Sequence, residues 1–422
     1  MRILYFTGAY RPESMVSHTH GDLVSAIRAR GVAADMLTFA PGDQREAVVT
    51  RPDRHGTRVT YLRVAGGSGS GNGSEIFDRA QRFYSARRWQ YAPFLSAVRA
   101  LRRYLTPDVL ARYDVLQIGM AFPHATIFRR ALVGRAHPPV LVTITGGDIA
   151  IGEKAEYGYG RTPATRRAIR ETLRWATLVQ ANSPQSARAV AAVGCPQERI
   201  AVQPPQSPVT PVPEGEITAF REAARAKLIA AGTLPAGRVL IGLGRMVAIK
   251  AFDDVIRALP AVRATCGEVS AHFIGPTRDA AAIAYADSLT ALAASLGMGE
   301  YVTVRGQIAA DDVPIYLAAA DLVLVPSLYD GLNKTGIEAG AVGTPVVVST
   351  AAGLADYVRE FNAGAVVPPR DPAALVEAVT TLLTDSTAWS AASTGARAMA
   401  ATFTLDRTAD GMIRLYQRVV AP

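Results

Sequence analysis

Cysteine is almost absent from this chain of 422 residues, which holds only Cys195 and Cys266. Two thiols cannot build a disulfide framework, nor hold a structural zinc by themselves, so the expected compartment is the reducing cytosol. Long apolar runs are missing too. No stretch offers the roughly 18 uninterrupted apolar residues that a membrane-spanning helix needs. The opening MRILYFTGAY lacks the basic lead and long apolar core of a signal peptide and reads as a first buried strand. Histidine is sparse, at 6 residues. His18 and His20 read as helix-face histidines, with no further His, Cys or Asp set to complete a metal site. No metal and no other cofactor is expected. Lysine is scarce, so nearly all of the 45 basic residues are arginine.

What is present suits a globular enzyme-sized chain. With 49% hydrophobic and 19% charged residues there is material for sizeable cores, and the length fits two domains of about 200 residues each. The formal charge of +9 is unevenly placed. Residues 1–205 carry 28 Lys/Arg against 15 Asp/Glu, and the remainder 17 against 21. A basic half suits phosphate-bearing acceptors, an anionic membrane face or nucleic acid. It equally suits helices decorated with arginine, and the shortage of lysine favours that plainer reading. The segment Glu75 to Tyr104 interleaves arginines with Phe83, Tyr84, Trp89, Tyr91 and Phe94. Packing of that aromatic stripe against a sheet is preferred, with acceptor or membrane docking as the alternative. Pro93 is expected to break or kink this helix mid-way. Gly66 to Ser74 reads as a low-complexity loop, a candidate flap over an acceptor cleft.

The chain is organised around Leu322 to Ser349, LVLVPSLYDGLNKTGIEAGAVGTPVVVS, which reads as strand, loop, helix, strand. Leu322 to Val325 has the length and branching of a buried parallel strand. Asp330-Gly331 marks a tight loop, Thr335 to Ala341 a helix, and Gly343-Thr344-Pro345 stops it before the strand Val346 to Val348. A glycine- and asparagine-bearing loop that feeds a helix N-terminus suits an anionic ligand, because free N–H groups and the helix dipole point there. Asp330 and Glu338 flank it, and carboxylates beside a phosphate are expected to bind hydroxyls. A ligand with both groups, a nucleotide-sugar, fits.

On these residues the segment resembles the acidic–X7–acidic signature of the retaining glycosyltransferases of family 4 (group 1), of the GT-B fold. Asp330 stands where that family usually has a first glutamate, Glu338 at the second, and Gly343 to Val347 matches its G-T-P-V-V strand. Leu240 to Lys250, LIGLGRMVAIK, is similar to the family's G-R-x4-K element. The resemblance implies an α/β fold of two Rossmann-like, doubly wound domains facing across a cleft. Residues 1–205 would form an acceptor-side domain and 206–404 the nucleotide-sugar domain. A last helix, 405–422, would pack back on the first.

The resemblance also assigns roles. Arg245 and Lys250 would neutralise the leaving diphosphate. Glu338 would bind the ribose, and Asp330 hydroxyls of the transferred sugar. Around the donor would lie Gly244, Leu332, Asn333, Lys334, Thr335, Ile337 and Arg305. From the first domain would come Thr145, Gly146 and Asp148, in a turn similar to the family's H-G-x-D. Ser14 and Met15 take the place of a Gly-Gly pair in the phosphate and acceptor loop, and Thr145 takes the place of a histidine that normally meets the sugar's C6 hydroxyl. The second departure suggests an altered C6 end, as in specialised metabolism, with a partly degraded site as the alternative. Asp253-Asp254 reads as helix capping.

The expected activity is retaining transfer from a nucleotide-diphosphate sugar to a small-molecule, lipid or glycan acceptor, with front-face attack. Two alternatives stand beside it: an epimerase or hydrolase on the same fold, and a non-catalytic nucleotide-sugar-binding protein. Peripheral membrane contact through the basic half is open, and nucleic acid is not an expected partner.

Overall fold

The computed structural model describes residues 1–10, 15–40, 44, 46–64, 92–150, 158–277 and 279–421. The Gly66–Ser74 loop, the basic-aromatic stretch as far as Tyr91, and Ser14 lie outside the described residues. The chain divides into two units, Met1–Gln206 with Leu405–Pro422, and Ser207–Thr404.

The first unit is an eight-stranded sheet. Its strands are β1 (Arg2–Ala9), β2 (Ala33–Phe39), β3 (Val48–Pro52), β4 (Arg58–Leu62), β5 (Val115–Gly119), β6 (Val140–Thr143), β7 (Leu178–Ala181) and β8 (Ile200–Val202). The order is β3-β4-β2-β1-β5-β6-β7-β8, and only β3 runs antiparallel to its neighbour. Both faces are covered, as a parallel sheet requires. Leu4 and Phe6 of β1 face one apolar cluster with Leu116 and Val142, while Ile3 and Tyr5 face another with Val24, Ile27 and Tyr416. That second face is closed by the helices Met15–Ala29 and Leu405–Val420, which Arg30 clips together through Asp406 and Asp410. The edge strand β3 is mostly exposed along its length. It therefore shows no alternation for a sequence reading to find, and it has no counterpart among the sequence expectations.

Other elements refine the sequence reading. His20 is not a lone helix-face histidine, because its Nδ1 lies 2.6 Å from the Tyr5 hydroxyl. Over the basic-aromatic stretch the described helix is Ala92–Tyr104, and the expected break at Pro93 turns on residues outside those described. Ser183 caps the helix Pro184–Val193, accepting from Ser186 N at 3.1 Å.

The second unit has six parallel strands: β9 (Arg238–Leu243), β10 (Val269–Ile274), β11 (Val302–Arg305), β12 (Leu322–Val325), β13 (Val346–Ser349) and β14 (Gly364–Val367). Their order is β11-β10-β9-β12-β13-β14. This is a Rossmann-like, doubly wound sheet, and the direction of winding reverses between β9 and β12. The crevice beyond the C-terminal ends of those two strands is where such sheets take ligands. Two helices, Ile217–Ala230 and Ala280–Ser295, were not expected. The first buries only Ala224 and Leu228, and the second is alanine-rich without a distinct apolar stripe. Among the described residues no helix is long and apolar enough to cross a membrane.

Candidate functional site

Three loops converge beyond β9 and β12. After β9 the chain passes through Gly244 and Arg245 into a short turn, Ala248–Lys250, and then Ala251 at φ +51° opens the helix Phe252–Cys266. After β12 it runs from Pro326 to Asn333 and into the helix Lys334–Ala341. The loop after β13 completes the set. Backbone hydrogen bonds tie them: Leu328 N donates to Ile249 O at 2.8 Å, Asp330 N to Ala351 O at 3.2 Å, and Gly353 N to Asp330 O at 2.8 Å. The Thr335 hydroxyl donates to Leu243 O at 3.2 Å, which fixes the start of the helix against the end of β9.

The centre of this cluster is an ion pair. Lys250 Nζ donates to Asp330 Oδ2 at 2.6 Å, and both side chains are under a fifth exposed. Asn333 Nδ2 donates to the same oxygen at 3.0 Å, while its Oδ1 accepts from Gly336 N at 3.0 Å and caps the helix. Burial alone would raise the Asp330 carboxyl. The Lys250 charge and the hydrogen bonds from Lys250, Asn333 and Leu332 N–H outweigh it and hold the group below the usual carboxylate range.

Glu338 lies one turn into the helix. It is buried, and among the described residues its carboxylate accepts no hydrogen bond. Burial pushes it up to about 7, with Lys334 holding it back. Lys334 is itself pushed down by burial, which Glu338 offsets. A lysine in the first turn of a helix opposes the dipole, and a lysine preceding a glutamate by four residues is the weaker order for such a pair. Local stability therefore explains neither choice. Together they leave two opposite charges, poorly compensated and partly desolvated, at a helix N-terminus.

Arg245 is exposed and makes no side-chain hydrogen bond or ion pair among the described residues. Gly244 sits under Lys250, where an added Cβ would come within 3.3 Å of Lys250 Cε. Gly275, at the end of β10, packs closer still, since a Cβ there would lie 1.7 Å from Gly244 O. Sequence reasoning set Gly275-Pro276 at a strand end beside the nucleotide base but not this close backbone approach, which a glycine-proline pair closing a strand signals. It also counted only the amide of Lys334 and not its charge.

Other expected residues stand elsewhere. Ile337 is wholly buried and Leu332 nearly so, both in the core beneath the loop, so only their backbones face outward chemistry. Arg305 ends β11, near the sheet edge, and lies against Tyr316, donating to its hydroxyl. In the first unit Thr145 is exposed and Gly146 adopts φ +109°. Asp148, expected to face a sugar, is fully buried. Its Oδ1 accepts from Thr145 N at 3.0 Å and Gly146 N at 2.9 Å, and its Oδ2 from Ala121 N at 2.8 Å. These bonds use the carboxylate to brace the turn. Met15 begins the helix Met15–Ala29.

The site can hold a ligand with separate anionic and hydroxyl-bearing parts. Arg245, Lys250, Lys334 and the free helix amides supply positive potential, and Asp330 and Glu338 supply acceptors.

Comparisons with known proteins agree with this chemistry. Residues 237–385 match the family model described as glycosyl transferases group 1, and residues 16–206 that of a glycosyl transferase 4-like domain. The D-inositol 3-phosphate glycosyltransferase of Salinispora arenicola is 35% identical over 189 residues, 44% of this chain and 42% of the relative. The chain thus aligns with less than half of that relative's length. Among solved structures, sucrose-phosphate synthase of Thermosynechococcus elongatus superposes with a TM-score of 0.76 at 20% identity, covering 99% of this chain and 98% of that one. The Anabaena HepE protein in complex with UDP-glucose gives 0.69 at 19% identity, covering 99% and 100%. Both likenesses concern the fold.

Proposed function

Because the chain belongs to the family 4 (group 1) glycosyltransferases, we propose that it is a retaining glycosyltransferase that moves a sugar from a nucleotide diphosphate to an acceptor hydroxyl. One observation carries the reading. Glu338 is a buried carboxylate with no hydrogen-bond partner among the described residues, beside the Lys250–Asp330 pair and the helix N-terminus at the switch point of the second sheet. Its oxygens are not sealed off from solvent, so a carboxylate so placed is partly desolvated yet open to a ligand, and the two ribose hydroxyls of a nucleotide would supply it with donors.

In this reading the diphosphate lies against the amides that open the helix Lys334–Ala341. Arg245, Lys250 and Lys334 carry the charge that builds on it as the sugar–phosphate bond breaks. The pre-set cations make a metal unnecessary to that step. Lys250 leaves Asp330 for the phosphate, and Asp330 accepts from a hydroxyl of the sugar. The acceptor attacks from the face the diphosphate leaves, and a phosphate oxygen takes its proton. The donor class follows the UDP-glucose held by the Anabaena protein, with the base open among UDP, GDP and dTDP. A threonine at Thr145 suits a sugar altered at C6. The acceptor is a hydroxyl of a small molecule, a lipid or a glycan, used at the cytoplasmic side, with peripheral membrane contact through the basic first unit.

The test is thermal stability of the full chain against UDP, GDP, dTDP and ADP, with Glu338→Ala and Arg245→Ala alongside. One nucleotide should raise the melting temperature of the parent and of neither variant. No shift with any of them at saturation overturns the reading.

A further inference from the structure

The second sheet has another end. Arg238 opens β9 and Asp321 immediately precedes β12, so both lie at its N-terminal edge, a strand's length (about 20 Å) from the Gly244–Arg245 turn. A cavity of about 470 Å³ opens there, a size typical of small-molecule sites. Its charged wall is Arg221 and Arg225, from the helix Ile217–Ala230, together with Arg238. Its apolar wall is Leu382, Leu383 and Trp389.

Two of the arginines are anchored. Arg225 donates to Ala319 O at 2.9 Å and to Asp321 Oδ2 at 3.0 Å. Arg221 lies over the Trp389 ring, 5.1 Å from its centroid, and donates to Ala320 O at 2.8 Å and to the Thr344 hydroxyl. Trp389 Nε1 donates to Asp321 O at 2.9 Å, which fixes the indole. Asp321 is the one paired carboxylate here, and its Oδ2 also accepts from Val239 N at 2.7 Å. Glu222, the other acidic residue on the wall, is exposed. Arg238 has no side-chain partner among the described residues. Burial pushes the Arg221 guanidinium down to about 10, a shift that Asp321 offsets and Arg225 adds to. Positive charge is therefore in excess, held rigidly, and set against an apolar floor.

We propose that this cavity is a second anion site, which takes a small phosphate ester. Its phosphate lies among Arg238, Arg221 and Arg225, and its apolar body rests on Trp389, Leu382 and Leu383. Arg238 offers the unused fork for the phosphate, while Arg221 and Arg225, whose terminal nitrogens already donate within the protein, add fixed positive charge, and the Trp389 indole gives the body a flat seat. None of these residues belongs to the donor site, so the proposal stands apart from the transfer reaction.

Inorganic phosphate and phenyl phosphate, titrated into the full chain by calorimetry and tryptophan fluorescence, test it. The titrations use Arg245→Gln, which weakens phosphate binding at the donor site, and Arg238→Gln in the same background tells the two sites apart. Saturable binding is expected, with phenyl phosphate at least tenfold tighter than inorganic phosphate. Arg238→Gln added to that background should weaken both at least tenfold. Trp389→Phe should remove the fluorescence change. Absence of saturable binding in Arg245→Gln at millimolar ligand overturns the proposal, as does unchanged affinity after Arg238→Gln.

Discussion

Lys250 Nζ stands 2.6 Å from Asp330 Oδ2, and each neutralises the other in the absence of a ligand. Removing one partner of a largely buried pair strands the other charge, at a cost of about 3–5 kcal/mol, whereas removing both is far milder. Lys250→Met should therefore lower the melting temperature sharply. The double variant Lys250→Met, Asp330→Asn should regain most of it. Transfer should stay down about 10²–10³-fold in both, because the leaving-group charge has lost its cation. A double variant that melts no higher than the single one would show that the two side chains are not coupled. Acid should also weaken the parent through this pair. Asp330 titrates lower in the folded chain, so its contribution is present above its unfolded pKa and lost as pH falls through the folded one.

Glu338 shifts the other way. Its folded pKa is raised to about 7, so the folded state holds the proton longer than the unfolded chain does. Stability then falls as pH rises from about 4 to about 7, and is level above that. Glu338→Gln should remove this slope and raise stability at pH 8 by on the order of 2 kcal/mol. The same variant should lose nucleotide binding. In the parent, nucleotide affinity should climb with pH through about 7, as the carboxylate becomes an acceptor only when ionised. Melting curves and nucleotide titrations across that range decide it. A Glu338→Gln chain less stable than the parent at pH 8 would mean that the carboxylate has a partner of its own.

The run from Leu322 to Ser349 was legible because several signals agree there. A branched apolar strand meets Asp330-Gly331, a helix follows, and Gly343-Thr344-Pro345 halts it, and β12, the helix Lys334–Ala341 and β13 lie where that pattern puts them. Two doubly wound sheets follow from the same kind of run repeated. What pattern cannot convey is where a side chain spends its hydrogen bonds. Asp148 looks like a ligand contact by its motif, yet its oxygens are bonded within its own turn and to Ala121. Arg305 ends a strand beside the expected base, yet it rests on Tyr316. The Lys250–Asp330 pair joins residues 80 apart, and nothing in either local segment predicts it. Edge strand β3, being mostly exposed, gives no pattern at all.

The bracing role of Asp148 has its own consequence. Asp148→Ala would strand the N–H groups of Thr145, Gly146 and Ala121, each of which the carboxylate now accepts from. The buried Gly146 and Ala121 donors would then cost about 1–3 kcal/mol apiece, while the exposed Thr145 can turn to water, so the first unit should be clearly destabilised. Asp148→Asn should be milder, since one amide oxygen still accepts. Its nitrogen, however, would meet a donor in place of an acceptor. Hydrogen exchange of residues 115–150 reports the loss directly. A variant with parental exchange there would move Asp148 from brace to ligand contact.

The two glycines beneath Lys250 should respond differently to one added methyl. At Gly275 the Cβ would stand 1.7 Å from Gly244 O, a backbone atom that cannot swing aside. Gly275→Ala must therefore push β9 and β10 apart at their ends, with a loss of roughly 1–3 kcal/mol for overpacking. At Gly244 the nearest atom is Lys250 Cε at 3.3 Å, near the far end of a flexible side chain. Gly244→Ala should therefore move the ammonium, and at φ +157° it also strains the backbone itself. Stability should fall through that local strain and not through parted strands, while donor affinity and turnover drop about tenfold or more, because a cation displaced by an ångström no longer meets the leaving phosphate. Melting temperature and nucleotide affinity, measured on both variants, separate these effects. Parental donor affinity in Gly244→Ala would place Gly244 among the packing residues and remove it from the site.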